Sequence, residues 1–130
     1  MPCSLDLSRK LKSAGLVWEP KRFDYFQMIV MENSLTTCLT DEWSVKSIRK
    51  ETVEFRNKSR LWLPRLDQLL AEIEARGWEV DSVQHKGKYA CDIAYLSDTV
   101  HTKYQTFAGE TREDAAGLAY LWIMEQDAHV

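Results

Sequence analysis

Apolar positions recur along this chain with two periods, and the periods predict its elements. Leu7, Leu11 and Ala14 fall on one face of a short helix that Ser4 or Asp6 can cap, with Gly15 as the residue able to take positive φ beyond it. Pro20 enforces an extended or turning backbone before the run Phe23–Met31, which is aromatic, β-branched or long and reads as a buried strand. Asn33–Ser34 makes a turn, so that residues 35–39 can pair back as a hairpin. Leu66, Leu69, Leu70 and Ile73 form one apolar stripe of a helix over 65–76, with Pro64 placed at its first turn and Gly77–Trp78 as a Schellman-type stop. Three strand-like stretches follow, at about 78–84, 88–96 and 101–107, separated by turns at Lys86–Gly87 and Ser97–Asp98. Thr111–Asp114 then reads as a capping box for a last helix over 112–126.

Residues 41–60 are harder to read. Trp43, Val45 and Ile48 fit neither period, whereas Thr52–Arg56 (TVEFR) alternates as a strand does; Leu61–Trp62–Leu63 is a short strand or an extended entry to the next helix. The chain is therefore expected to be one α+β domain. Residues 1–63 supply a helix and strands, and residues 64–126 run α-β-β-β-α, with an antiparallel sheet packed against the helices.

The last helix departs from ordinary patterning. Ala115–Met124 is ten uncharged residues, AAGLAYLWIM, apolar all round. Such a helix is covered on two sides, by a sheet and by another layer or a partner chain, and Gly117 with the alanines suggests close backbone approach on the narrow side. Tyr120, Leu121 and Trp122 are accordingly candidate contacts for self-association or for a host or phage protein. Ten residues are half of a bilayer span, and no signal-peptide core precedes them, so a cytoplasmic setting without membrane contact is expected.

Composition alters little in this picture. The 130 residues are 45% hydrophobic and 28% charged, as in an ordinary globular domain, and carry a net charge of −3. That charge conceals +3 over residues 1–63 and −6 over residues 64–130. The sharpest excess is residues 46–60, where Lys46, Arg49, Lys50, Arg56, Lys58 and Arg60 stand against two acids. A solvated loop or strand edge is the plain reading. A nucleic-acid surface with Trp43 or Trp62 stacking on bases is the alternative. Among the aromatic residues, Trp43 is the one expected outside the core, as an interface anchor.

No strong catalytic or metal signature is present, and the residues call for no cofactor. Cys3, Cys38 and Cys91 are odd in number and far apart, unlike a disulfide framework or a cysteine-rich zinc site. His85 and His101 sit at strand ends with Cys91 between them, which would become a small cleft only if all three converged. Cys91 lies in the apolar alternation Tyr89–Cys91–Ile93–Tyr95 and reads as core. The α-β-β-β-α order is shared by double-stranded-RNA-binding domains, but the start of the last helix is acidic here where those domains carry lysines.

The segments LKSAGLVWEP, LWLPRLDQLLAEIEARGW and TREDAAGLAYLWIMEQ resemble those of small phage and prophage proteins of Gram-positive bacteria, and the C-terminal half resembles the α/β/α "phage ABA sandwich" domain. Residues 32–60 lie outside this likeness. The resemblance implies a mobile-element origin and a bacterial host; it carries no catalytic residue. A non-enzymatic accessory or protein-interaction module, self-associating through the terminal helix, is the resulting expectation.

Overall fold

A computed structural model describes residues 2–29, 35–85, 87–96 and 102–127. Helix α1 spans Leu5–Ser13, and the Ser4 hydroxyl accepts from the Leu7 N–H as its N-cap. At its end Gly15 has φ 112°, and Gly15 N–H and Leu16 N–H donate to the carbonyls of Lys12 and Leu11. That pair of bonds is a Schellman motif, which a residue with a Cβ would enter only with strain.

A first antiparallel sheet has the order β2-β1-β3, from β1 (Tyr25–Met28), β2 (Thr37–Cys38) and β3 (Arg60–Leu63). Tyr25 lies opposite both Cys38 and Leu63, so the expected 35–39 partner pairs at Thr37 and Cys38 and, of the two readings of Leu61–Leu63, the strand is the one found; the turn expected at Asn33–Ser34 lies outside the described residues. Strand β1 is shorter than the apolar run. Phe23 takes φ 73°, turning the chain before Asp24, and residues 30–34 lie outside the described residues.

The segment that alternates as TVEFR is a helix rather than a strand. α2 (Glu42–Arg49) and α3 (Val53–Ser59) follow β2, with Asp41 and Thr52 as their N-caps. In α3 the alternation is inverted with respect to burial: Val53 and Phe55 are exposed, and Arg56 is the residue that faces inward.

Helix α4 (Leu66–Ala75) begins one residue later than expected. Pro64 lies outside it, before the N-cap Arg65, and its carbonyl accepts from the Cys3 N–H at 2.8 Å. Gly77 and Trp78 close α4 with bonds to Glu74 and Ile73, the expected Schellman stop. Then come β4 (Glu79–His85), β5 (Lys88–Leu96) and β6 (Thr102–Gly109), an antiparallel meander in the order β4-β5-β6. Helix α5 (Arg112–Asp127) completes the α-β-β-β-α order.

α5 is the centre of the main core. Ala115, Ala116, Ala119, Tyr120 and Ile123 are buried among Leu7 and Leu11 of α1, Leu69 and Ile73 of α4, and Cys91 and Ile93 of β5. The second cover that an all-round apolar helix requires is thus another layer of the same chain. Approach is closest at Gly117, where an added Cβ would lie 2.6 Å from Leu7 Cδ2 and 2.9 Å from Cys3 Sγ. Among the described residues no helix covers the opposite face of the sheet, where Tyr104, Thr106 and Ala108 are exposed, so the described helices lie on one side of it and not on both as α/β/α layering would have it.

A second cluster (Trp18, Phe26, Leu39, Val45 and Ile48) lies between the first sheet and α2. Asp24 joins the two regions. Its carboxylate is wholly buried and accepts from Trp18 Nε1 at 2.8 Å, from the Lys21 N–H at 2.9 Å and from Gln68 Nε2 at 2.6 Å, with Arg65 Nη2 at 3.6 Å. Gln68 in turn receives the Arg65 N–H on its own oxygen, so a single side chain caps α4 and ties it to Asp24. Buried carboxylates are tolerated only when satisfied in this way.

Because Gly117 admits no side chain, Gly117→Val is expected to lower the unfolding free energy by about 2 kcal/mol, the scale of an overpacked core, as read from urea titration.

Candidate interaction surface

The basic stretch 46–60 runs mainly through the two short helices α2 and α3, and of its cations Arg60 alone stands on a strand edge, at the start of β3. Capping starts α2: the Asp41 carboxylate accepts from Ser44 N–H at 2.7 Å and from Ser44 Oγ at 3.0 Å, and these bonds hold its carboxyl below the ordinary carboxylate value. Val45 and Ile48 face the core. At about 100° per residue, Trp43, Lys46, Ser47 and Lys50 fall on the opposite side. Trp43 is 76% exposed, as expected of it, and it is followed one and two turns on by exposed Lys46 and Lys50.

Not all of the six cations belong to that surface. The Arg56 guanidinium is buried and donates through Nη1 to Trp18 O at 3.2 Å, and through Nη2 to the carbonyls of Ile48, Glu51 and Arg49 at 3.2, 3.3 and 3.4 Å. It thereby closes the carbonyl end of α2, where unsatisfied acceptors and the negative end of the helix dipole favour a cation. Arg60 makes a two-pronged pair with Glu51, at 2.9 and 3.0 Å. Arg49 Nε donates to Pro20 O at 2.8 Å. Arg56 and Arg60 are therefore structural groups, and Lys46, Lys50 and Lys58, with Arg49 exposed but bonded to Pro20, carry the exposed charge. Trp62 is half-buried beside the second cluster, so of the two tryptophans Trp43 is the exposed one, with Phe55 exposed on α3.

The α5 candidates separate in the same way. Tyr120 is buried, its hydroxyl accepting from Arg76 Nε at 3.1 Å and donating to Glu72 Oε2 at 3.3 Å. Trp122 is engaged within the chain, edge-on to Trp78 at 5.6 Å and 6.0 Å from Phe107. Tyr120 is thus closed to a partner, whereas Trp122 is half-buried with its ring packed on those two neighbours. Leu121 remains half-buried, and Leu118, which sequence patterning did not single out, is half-buried with it.

Cys91 is fully buried on the helix-facing side of β5, and burial, with Asp92 and Asp81 adding to it, pushes its thiol up to about 12. Cys3 is pushed up to about 12 by burial as well, then by Asp114 and Glu113. These thiols stay protonated at neutral pH, when they lack the thiolate that nucleophilic chemistry needs. His101, His129 and the His85 side chain lie outside the described residues. Among the described residues no three His, Cys, Asp or Glu side chains are grouped as a metal site would need, and no helix is long and apolar enough to cross a membrane. A cleft of about 360 Å³ between residues 17–21 and α4 is lined by Lys21, Trp62, Arg65 and Glu72. Its Arg65 is held by Asp24 and Asp67, and its Glu72 by the Tyr120 hydroxyl.

Two outcomes follow from this arrangement. Arg56→Met is expected to destabilise the chain by about 3 kcal/mol, because it strands buried carbonyls, whereas Trp43→Ala should stay within about 0.5 kcal/mol of the parent in the same denaturant titration. The raised thiols act on alkaline stability. Above an ordinary thiol pKa of 9.0 the unfolded chain loses protons that the folded chain keeps, so stability should fall as pH rises from about 9 to about 12, and Cys91→Ala should make that fall shallower. Comparison with protein-family models, with curated proteins and with solved structures gives no match.

Proposed function

We propose that this chain is a non-enzymatic interaction module of phage or prophage origin, working in the cytoplasm of a bacterial host, and that it meets a protein partner through the outer face of α2. The observation that carries the reading is Trp43. It is 76% exposed on a helix whose two inward positions are already filled, so its ring does nothing for the chain's own core. Tryptophan is among the residues in which interface energy concentrates, and Lys46 and Lys50 suit a partner that is acidic around an apolar pocket. The phage or prophage origin is supported by the sequence resemblance alone.

A nucleic-acid reading has one specific observation in its favour. The Trp43, Lys46, Lys50 ridge offers a stacking ring with cations placed for phosphates. Against it stand Arg56 and Arg60, both engaged within the chain, and the net charge of −3.

Affinity capture from the native host, using the parent chain beside Trp43→Ala and Lys46→Glu/Lys50→Glu, tests the proposal. A protein held by the parent should be lost from both variants. If the same proteins are held by all three, α2 is not the contact face. Fluorescence anisotropy of a labelled oligonucleotide is expected to stay flat at low salt; salt-dependent binding lost with Trp43→Ala would favour nucleic acid instead.

A further inference from the structure

β6 is one of the two outer strands of its sheet, and among the described residues no backbone group pairs with its free edge. It is eight residues long and contains no proline. Edges of this length are usually shortened, bulged or covered, since an unpaired row of N–H and C=O groups is a template for another strand.

The helix above that edge is open on the same side. α5 packs on both β5 and β6, while α4 packs on α5 and β4 and so occupies the other flank. At about 100° per residue, Ala115, Ala119 and Trp122 point to the sheet, Tyr120 towards α4, and Gly117 and Met124 towards α1. Leu118 and Leu121 are left on the flank overhanging β6, and both are half-buried. The strand edge and the two leucines therefore form one continuous lateral surface.

We propose that this surface is a homodimer interface, in which β6 of a second copy pairs antiparallel with β6 and makes a six-stranded sheet beneath a pair of α5 helices. Spacing argues for a second copy over a foreign strand. Paired strands lie about 4.8 Å apart. Because α5 straddles β5 and β6, its axis lies about half a strand spacing inside the edge, which brings the two α5 axes to about 10 Å, a distance at which helices pack. A foreign strand would satisfy the edge and leave Leu118 and Leu121 uncovered; a second copy covers both.

Register is compatible as well. Gln105 and Phe107 of β6 lie opposite Ile93 and Cys91 and share their helix-facing side, and pairing centred on Thr106 keeps them there. It also sets the exposed Tyr104 across from Ala108, an aromatic ring over a small residue. Asp114 and Glu125 border the leucines, so like charges approach when the helices run antiparallel. The dimer should therefore tighten with added salt, the reverse of an association through the Lys46 and Lys50 face, on which it does not depend.

Sedimentation equilibrium of the full chain should show a monomer–dimer equilibrium at micromolar concentrations, strengthened by salt. Leu121→Lys should weaken it at least about tenfold. Hydrogen exchange on the parent chain supplies a measurement that no folding defect can confuse: amides of residues 102–109 should gain protection as concentration rises. A monomer at every concentration overturns the proposal. So does a dimer whose β6 amides exchange at a rate independent of concentration, or one that salt dissociates.

Discussion

A helix that is apolar on every side must be enclosed, and the enclosure of α5 organises most of this molecule. One side is met by β5 and β6, a second by α4, and a third by α1, which returns from the other end of the chain. The last contact is the most demanding. Gly117 lets α1 approach until Leu7 and Cys3 fill the volume a side chain would take, and the Ser4 N–H donates to the Asp114 carboxylate at 2.8 Å. The α-β-β-β-α unit is therefore not complete without the first residues of the chain, although the chain reads as if it were divided at Pro64.

The second cluster is held by polar groups rather than by bulk. Burying Asp24 and Arg56 carries a desolvation penalty that only a full set of partners offsets. Asp24 takes three hydrogen-bond donors, from the loop at residues 18–21 and from α4, with Arg65 as an ion-pair partner, and Arg56 bonds the carbonyls of Trp18, Ile48 and Glu51. Each works at one position only, since displacing either would strand several groups at once. Small apolar clusters are poorly specified by packing alone, and such groups confine the arrangement to one geometry.

Legibility followed the strength of the period. α4, α5 and the meander were readable because Leu66, Leu69, Leu70 and Ile73 obey one spacing and Cys91 and Ile93 obey the other, with caps and glycines at the expected ends. α3 was not, because its buried residue is charged and its exposed residues are apolar, the reverse of what periodicity assumes. α2 was hidden by Trp43: the residue that most marks the surface also breaks the amphipathic pattern that would have revealed the helix. The separation of Leu118 and Leu121 from Tyr120 and Trp122 was equally out of reach. Within ten uniformly apolar residues, only the positions of α1, α4 and the sheet decide which side is left open.

Arg56 has a consequence for recognition as well as for folding. The bonds of its guanidinium join the end of α2 to the loop at Trp18 and to Glu51. An eight-residue helix would otherwise fray, and a partner would have to order it on contact. Tied down in this way, α2 holds the indole of Trp43 at a set height and direction before any encounter. The ordering entropy has already been met by folding, so a partner need supply only complementary shape and charge.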